Sequence, residues 1–180
     1  MRCVAKFEKV SLEQYVKSRM KLDKGAFPDD VYQKLYDKYR SEWEKIVLPR
    51  RATGGSAGYD FFLPADHIVY PEWDDMWKLN KPICTGIRAI IDPGYVLLLY
   101  PRSGLGFRYG LRLSNTTGII DSDYANADNE GHIMAKMTAC TDIDLKAGDR
   151  FMQGVFVPYG ITVDDEVSGV RTGGFGSTGA

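Results

Sequence analysis

Ile83-Cys-Thr-Gly-Ile-Arg-Ala-Ile-Ile-Asp-Pro-Gly-Tyr-Val-Leu-Leu-Leu-Tyr100 is the stretch that decides the fold class. Two apolar runs, 83–91 and 95–100, flank the turn residues Asp92, Pro93 and Gly94. Runs this short, bounded by Pro and Gly, read as strands rather than helices. The pattern repeats outward at 58–63, 67–70, 132–140 and 151–159, with Lys146-Ala-Gly-Asp149 as a further turn. Many short strands with frequent turns predict an all-β body, a jelly-roll-like barrel or sandwich.

The front of the chain differs. Residues 2–10 alternate, with Cys3, Ala5 and Phe7 on one side, as a short strand does. Ser11 with Gln14 resembles a capping box opening a helix, and Gly25 would stop it. A second helix follows Pro28, with Asp30 as its cap and Gln33 at N3. Val31, Leu35, Tyr39, Trp43 and Ile46 or Val47 form its packing stripe, and Pro49 ends it. Residues 11–47 thus read as a helical insertion ahead of the β body, within one domain spanning 1–180. Trp73, Met76 and Trp77 fall in an irregular connector expected to pack against the barrel.

Composition bounds the function. The net charge of −1, from 23 basic and 24 acidic residues without a like-charge block, argues against a general nucleic-acid surface. Cys3, Cys84 and Cys140 form no CxxC pair, and no signal peptide precedes them, which reads as reduced thiols in a cytoplasmic protein. No run has the length of a membrane span. His67 and His132 are too isolated for a zinc site and read as surface or strand residues.

Four segments could carry chemistry. Pro101-Arg-Ser-Gly-Leu-Gly106 follows an apolar strand, and its glycines expose the backbone beside Arg102, Ser103 and Gly104. These groups could address phosphate oxygens, or Arg102 could simply make a surface salt bridge. Asn115-Thr-Thr-Gly-Ile-Ile-Asp-Ser-Asp-Tyr124 offers an amide for a base edge at Asn115 and close main-chain approach at Gly118. Ile119 and Ile120 seat the segment, and the Asp121 carboxylate could orient or deprotonate a water. The acidic stretch beyond it fails the EF-hand template, so Asp128 and Glu130 read as a solvated turn. Arg150 and Gln153, opening the last strand, could hold phosphate or tie off turn carbonyls. The Gly-rich end Arg171-Thr-Gly-Gly-Phe-Gly-Ser-Thr-Gly-Ala180 suggests a flap over a phosphorylated aromatic ligand. Its N–H groups can converge on an anion, Arg171 is a phosphate fork and Phe175 a flat ring face.

In order, Ala57-Gly-Tyr-Asp60, the 101–106 segment, Gly118-Ile-Ile-Asp-Ser-Asp-Tyr124, the 150–153 segment and Gly173-Gly-Phe-Gly-Ser-Thr-Gly179 resemble the trimeric dUTP diphosphatases, from residue 50 to the C-terminus. The resemblance implies a homotrimer with active sites at subunit interfaces. It implies hydrolysis of dUTP to dUMP and pyrophosphate, limiting uracil in DNA and supplying dUMP for dTMP synthesis. Mg²⁺ would be held by the triphosphate and water, with no direct protein ligand. By the same resemblance Asp121 activates the water, and the Tyr124 ring lies under the deoxyribose, crowding out a 2′-hydroxyl. Asn115 and the main chain at Gly118, Ile119 and Ile120 read uracil, with Met134 near the base. Arg102, Ser103, Gly104 and Gln153 meet phosphates, supported by a network containing Asp60 and Arg150. In the flap, 168–180, Phe175 with Gly176 covers uracil, while Arg171, Ser177 and Thr178 reach the phosphates.

Two alternatives use the same β fold. A dCTP deaminase would need a glutamate-centred site and a different arginine-serine signature. A dUTP-binding regulatory protein would use 11–47 to contact a protein partner. Three departures mark this chain within the resemblance: the insertion, a longer turn between Tyr124 and Gly131, and Arg171 one residue closer to Phe175 than usual.

Overall fold

Gly86 breaks the run that decides the fold. Its φ of +71° is open to glycine and strained for other residues, so one apolar run becomes two strands meeting at a bend. A side chain there would also collide with Ile46 and Tyr15 of the helical insertion, which packs directly onto this bend.

A computed structural model describes residues 2–23, 27–167, 169 and 173. Strand β1 (Ala5–Lys9) leads into helices α1 (Leu12–Asp23) and α2 (Asp29–Glu44). Strands β2 (Arg50–Arg51), β3 (Tyr59–Phe62), β4 (His67–Val69), β5 (Ile83–Cys84), β6 (Ile87–Ile91) and β7 (Tyr95–Pro101) follow. After α3 (Ser103–Tyr109) come β8 (Arg112–Leu113), β9 (Gly118–Ile120), β10 (Met134–Ala135), β11 (Met137–Thr138), β12 (Ile143–Leu145) and β13 (Arg150–Pro158). The predicted 132–140 strand is therefore two short strands, just as 83–91 is.

The largest sheet runs β2-β3-β13-β7-β9, all antiparallel. The pairs β1-β6, β5-β10, β8-β11 and β4-β12 close the rest of the body. Alternation aims Ile87, Ala89 and Ile91 of β6 inward, and Leu97 and Leu99 of β7 likewise. A register shift between Arg150 and Met152 lets the adjacent Phe151 and Met152 both enter the core. The all-β body with a helical insertion is as expected from the sequence.

The insertion is part of the core. Tyr15 and Val16 of α1 and Tyr39 of α2 are buried, and the α2 stripe resolves in favour of Ile46, with Val47 exposed. Trp43 Nε1 donates to Val10 O at 2.8 Å. Lys9 Nζ donates to Trp43 O and Glu44 O, satisfying carbonyls at the C-terminus of α2. Asp30 is not the cap: α2 begins after Pro28, with Asp29 and Asp30 both in its first turn, where carboxylates meet the helix dipole. The helix stops at Glu44, ahead of Pro49. The expected stop at Gly25 lies outside the described residues. Trp73 does not pack inward either; it is 77% exposed and Met76 is exposed too, while Trp73 Nε1 donates to Cys140 O.

Candidate active site

Asp60 is the centre of the first half of the site. Strand β3 sets it between Arg50 on β2 and Gln153 on β13. It is 3% exposed, and a buried carboxylate requires partners. Oδ1 accepts from Arg102 Nη1, and Oδ2 accepts from Arg150 Nη1 at 3.3 Å. Gly58 keeps this corner open, since a Cβ there would stand 2.8 Å from Gln153 Oε1. The sequence-expected group of Asp60, Arg102, Arg150 and Gln153 is thus brought together.

The expected phosphate turn at 101–106 takes a different form. Pro101 still pairs with Met152, and Arg102 N–H donates to Phe151 O at 3.1 Å. Ser103 and Gly104 then open helix α3, where their N–H groups have no acceptor within the helix. A Cβ on Gly104 would meet nothing within 4 Å, so this helix start faces open space. Beside it lies a cavity of about 380 Å³ lined by Arg102, Gly104, Arg108 and Arg150 among others. Arg108 was missed in the sequence because its register on α3 shows only once that segment is known to be helical.

The second half is the loop from β8 to β9, closed by a bridge between Leu113 and Thr116, and the turn after β9. Thr116 sits at its tip with φ +65°, and Asn115 Nδ2 donates to Thr117 O at 3.3 Å. The space a Gly118 side chain would need is occupied by Leu99, so this glycine lets β9 close tightly against β7. Ile120 is buried as expected, but alternation turns Ile119 outward, 63% exposed. Asp121 then precedes a 3₁₀ turn, Ser122–Asn126, and its carbonyl accepts Tyr124 N–H at 3.1 Å. Tyr124 is 5% exposed; its hydroxyl donates to His132 O and accepts from Asn129 Nδ2.

Within one chain the two halves stand apart. Asp121 follows Ile120, which pairs with Leu97 near the start of β7, whereas Arg102 follows that strand's last residue. At about 3.3 Å per residue, β7 separates them by on the order of 20 Å.

The dUTPase family model matches residues 44–179, which takes in both halves. The chain belongs to the dUTPase family. It is 41% identical over 140 residues to a deoxyuridine 5′-triphosphate nucleotidohydrolase of Lactococcus lactis, covering 75% of this chain and 89% of the relative. A second relative of that name, from Dinoroseobacter shibae, is 38% identical over 157 residues, covering 81% and 97%. Among solved structures, a dUTPase from Streptococcus mutans superposes with a TM-score of 0.56 at 36% identity, over 67% of this chain and 91% of that one. A dUTPase from phage phi11 of Staphylococcus aureus, solved with a structural Mg(II) ion, shares the fold with a TM-score of 0.54 at 21% identity, over 70% of this chain and 92% of that one.

Two departures from the dUTPase pattern are one structural feature. The longer turn before Gly131 carries Glu130, whose carboxylate accepts from Ser11 N–H at 2.7 Å and Ser11 Oγ at 2.6 Å. Ser11 caps α1 through Gln14 N–H, but the Gln14 side chain bonds Ser18 instead of closing the capping box. Glu130 fills that role, so it is no solvated turn residue. His132 is likewise neither a surface nor a strand residue; it is fully buried. Its Nε2 accepts Gly86 N–H at 2.9 Å, so the neutral ring carries its proton on Nδ1 and donates it to Ser18 Oγ. Burial pushes its pKa down to about 4, against a smaller upward pull from Glu130. Met134 borders a cavity of about 670 Å³ shared with Lys17, Ser18 and Lys21 of α1, so the insertion reaches the part of this dUTPase where the base was expected.

Arg171, Phe175, Gly176, Ser177 and Thr178 lie outside the described residues. Among the described residues no helix is long and apolar enough to cross a membrane.

Proposed function

We propose that this chain hydrolyses dUTP to dUMP and pyrophosphate. The observation that carries the reading is Asp60 holding Arg102 and Arg150 beside Ser103 and Gly104, a preset cationic corner for a polyphosphate. Phosphoryl transfer asks chiefly for positioning and charge neutralisation, which guanidiniums and N–H groups supply. Asp121 holds the attacking water and takes its proton, with the leaving pyrophosphate held at Arg102, Ser103, Gly104 and Gln153. Asn115 and the 118–121 main chain read uracil, Tyr124 and Met134 border the nucleoside, and the flap with Phe175 covers it.

Asp121 and Arg102 sit too far apart to share one substrate within a chain, which supports a homotrimer whose sites combine residues of different subunits. Among the described residues, no three His, Cys, Asp or Glu side chains converge as a metal set. Asp60, already held by two arginines, would support the waters of a hydrated Mg²⁺ brought in by the triphosphate. Bound there, Mg²⁺ would offset phosphate charge.

Pyrophosphate release with dUTP, dCTP, dTTP and UTP tests the reading, alongside solution mass. Selective release from dUTP by a trimer is expected. Ammonia release from dCTP would favour the deaminase alternative, and dUTP binding without turnover the regulatory one.

A further inference from the structure

Arg50 stands opposite Asp60, and Asp60 opposite Gln153, across three adjacent strands. Residues paired across strands project from one face, so Arg50 shares a surface with Asp60, Gln153 and, one pair along, Phe62 and Arg150. Its guanidinium carbon lies 5.2 Å from the Phe62 ring centroid, a cation–π contact that fixes the fork. Both oxygens of Asp60 are engaged by Arg102 and Arg150, and Arg50 makes no ion pair with that carboxylate. Among the described residues Arg50 has no ion pair. A cavity of about 420 Å³ opens between Arg50, Asp60, Phe62 and Arg150. Arg150 also borders the cavity beside Gly104, so the two are neighbours. The adjacent Arg51 is spent differently, donating to Gly54 O and Ser56 O to tie a loop.

We propose that Arg50 is a further anion-binding residue of this site, gripping the diphosphate end of dUTP and the pyrophosphate product. The identity of that ligand rests on the dUTPase reading. Three guanidiniums around one carboxylate leave excess positive charge that favours an anion, and the planar fork fits phosphate oxygens in pairs. A lysine would keep the charge and lose the fork.

Calorimetric binding of inorganic pyrophosphate and of dUMP, in the presence of Mg²⁺, tests this on the full chain with Arg50→Ala and Arg50→Lys. Arg50→Ala is expected to weaken pyrophosphate binding roughly tenfold. Binding of dUMP, which lacks the diphosphate, stays as in wild type, and Arg50→Lys falls between. Unchanged pyrophosphate binding in Arg50→Ala overturns the proposal. So does equal weakening of both ligands, or a fall in assembly mass that reveals an interface role. Arg50-dependent pyrophosphate binding in a wild-type protein that does not turn over dUTP would uphold the anion site and overturn the dUTPase reading alone.

Discussion

Ser11 and Glu130, 119 positions apart, close the N-terminus of α1 with two hydrogen bonds to one carboxylate. The negative charge also sits where the helix dipole favours it. This couples the insertion to the turn that carries Tyr124's partners, Asn129 and His132.

Glu130→Ala leaves the partly buried Ser11 N–H without its charged acceptor. We expect a loss of about 2 kcal/mol in stability, read from urea denaturation midpoints. A midpoint equal to wild type would show that water caps the helix as well as Glu130 does.

Asp121→Asn removes the base while preserving size. Turnover of dUTP should fall about 10²–10⁴-fold with dUTP binding retained. Retained turnover would assign the water to another group.

Tyr124 has two separable parts. Tyr124→Ala removes the ring and should narrow discrimination between dUTP and UTP, measured as a ratio of kcat/KM. Tyr124→Phe keeps the ring but strands His132 O and Asn129 Nδ2, so it should cost about 1–3 kcal/mol with discrimination kept. Equal discrimination in wild type and Tyr124→Ala rejects the sugar-sensing role.

His132 sets an acid limit. Its pKa falls from 6.5 in the unfolded chain to about 4 in the fold. Between those values the unfolded chain binds the extra proton, so stability rises with pH across the window and is lost on acidification. Protonated, Nε2–H would face the Gly86 N–H, donor against donor. The loss by pH 4 amounts to about 3 kcal/mol. His132→Asn should flatten this part of the stability profile; parallel profiles for both proteins would dismiss the assignment.

Deleting 171–180 should cut turnover severely while the body melts as before. Undiminished activity in the truncated protein would refute the flap.

Much of this was legible in the sequence. Pro93-Gly94 and the short apolar runs announced strands because turn chemistry and two-residue alternation are local properties. Asp60, Arg102, Arg150 and Gln153 were found through motif order, and the fold joins them across β3, β7 and β13. The outward turn of Ile119 follows from alternation on β9 and could have been read in advance. The splitting of 83–91 had its only signal in Gly86, which marks a bend solely when something presses against it.

By itself, then, the sequence determined the all-β class, the helical insertion and the family motifs, since each is written in neighbouring residues. Only the tertiary structure decided that Glu130 caps a helix, that His132 is buried beneath Ser18, that Gly118 packs on Leu99, and that Arg50 shares a face with Asp60. Those outcomes depend on partners far away along the chain, and hydrogen bonding and burial are settled by what folding brings alongside.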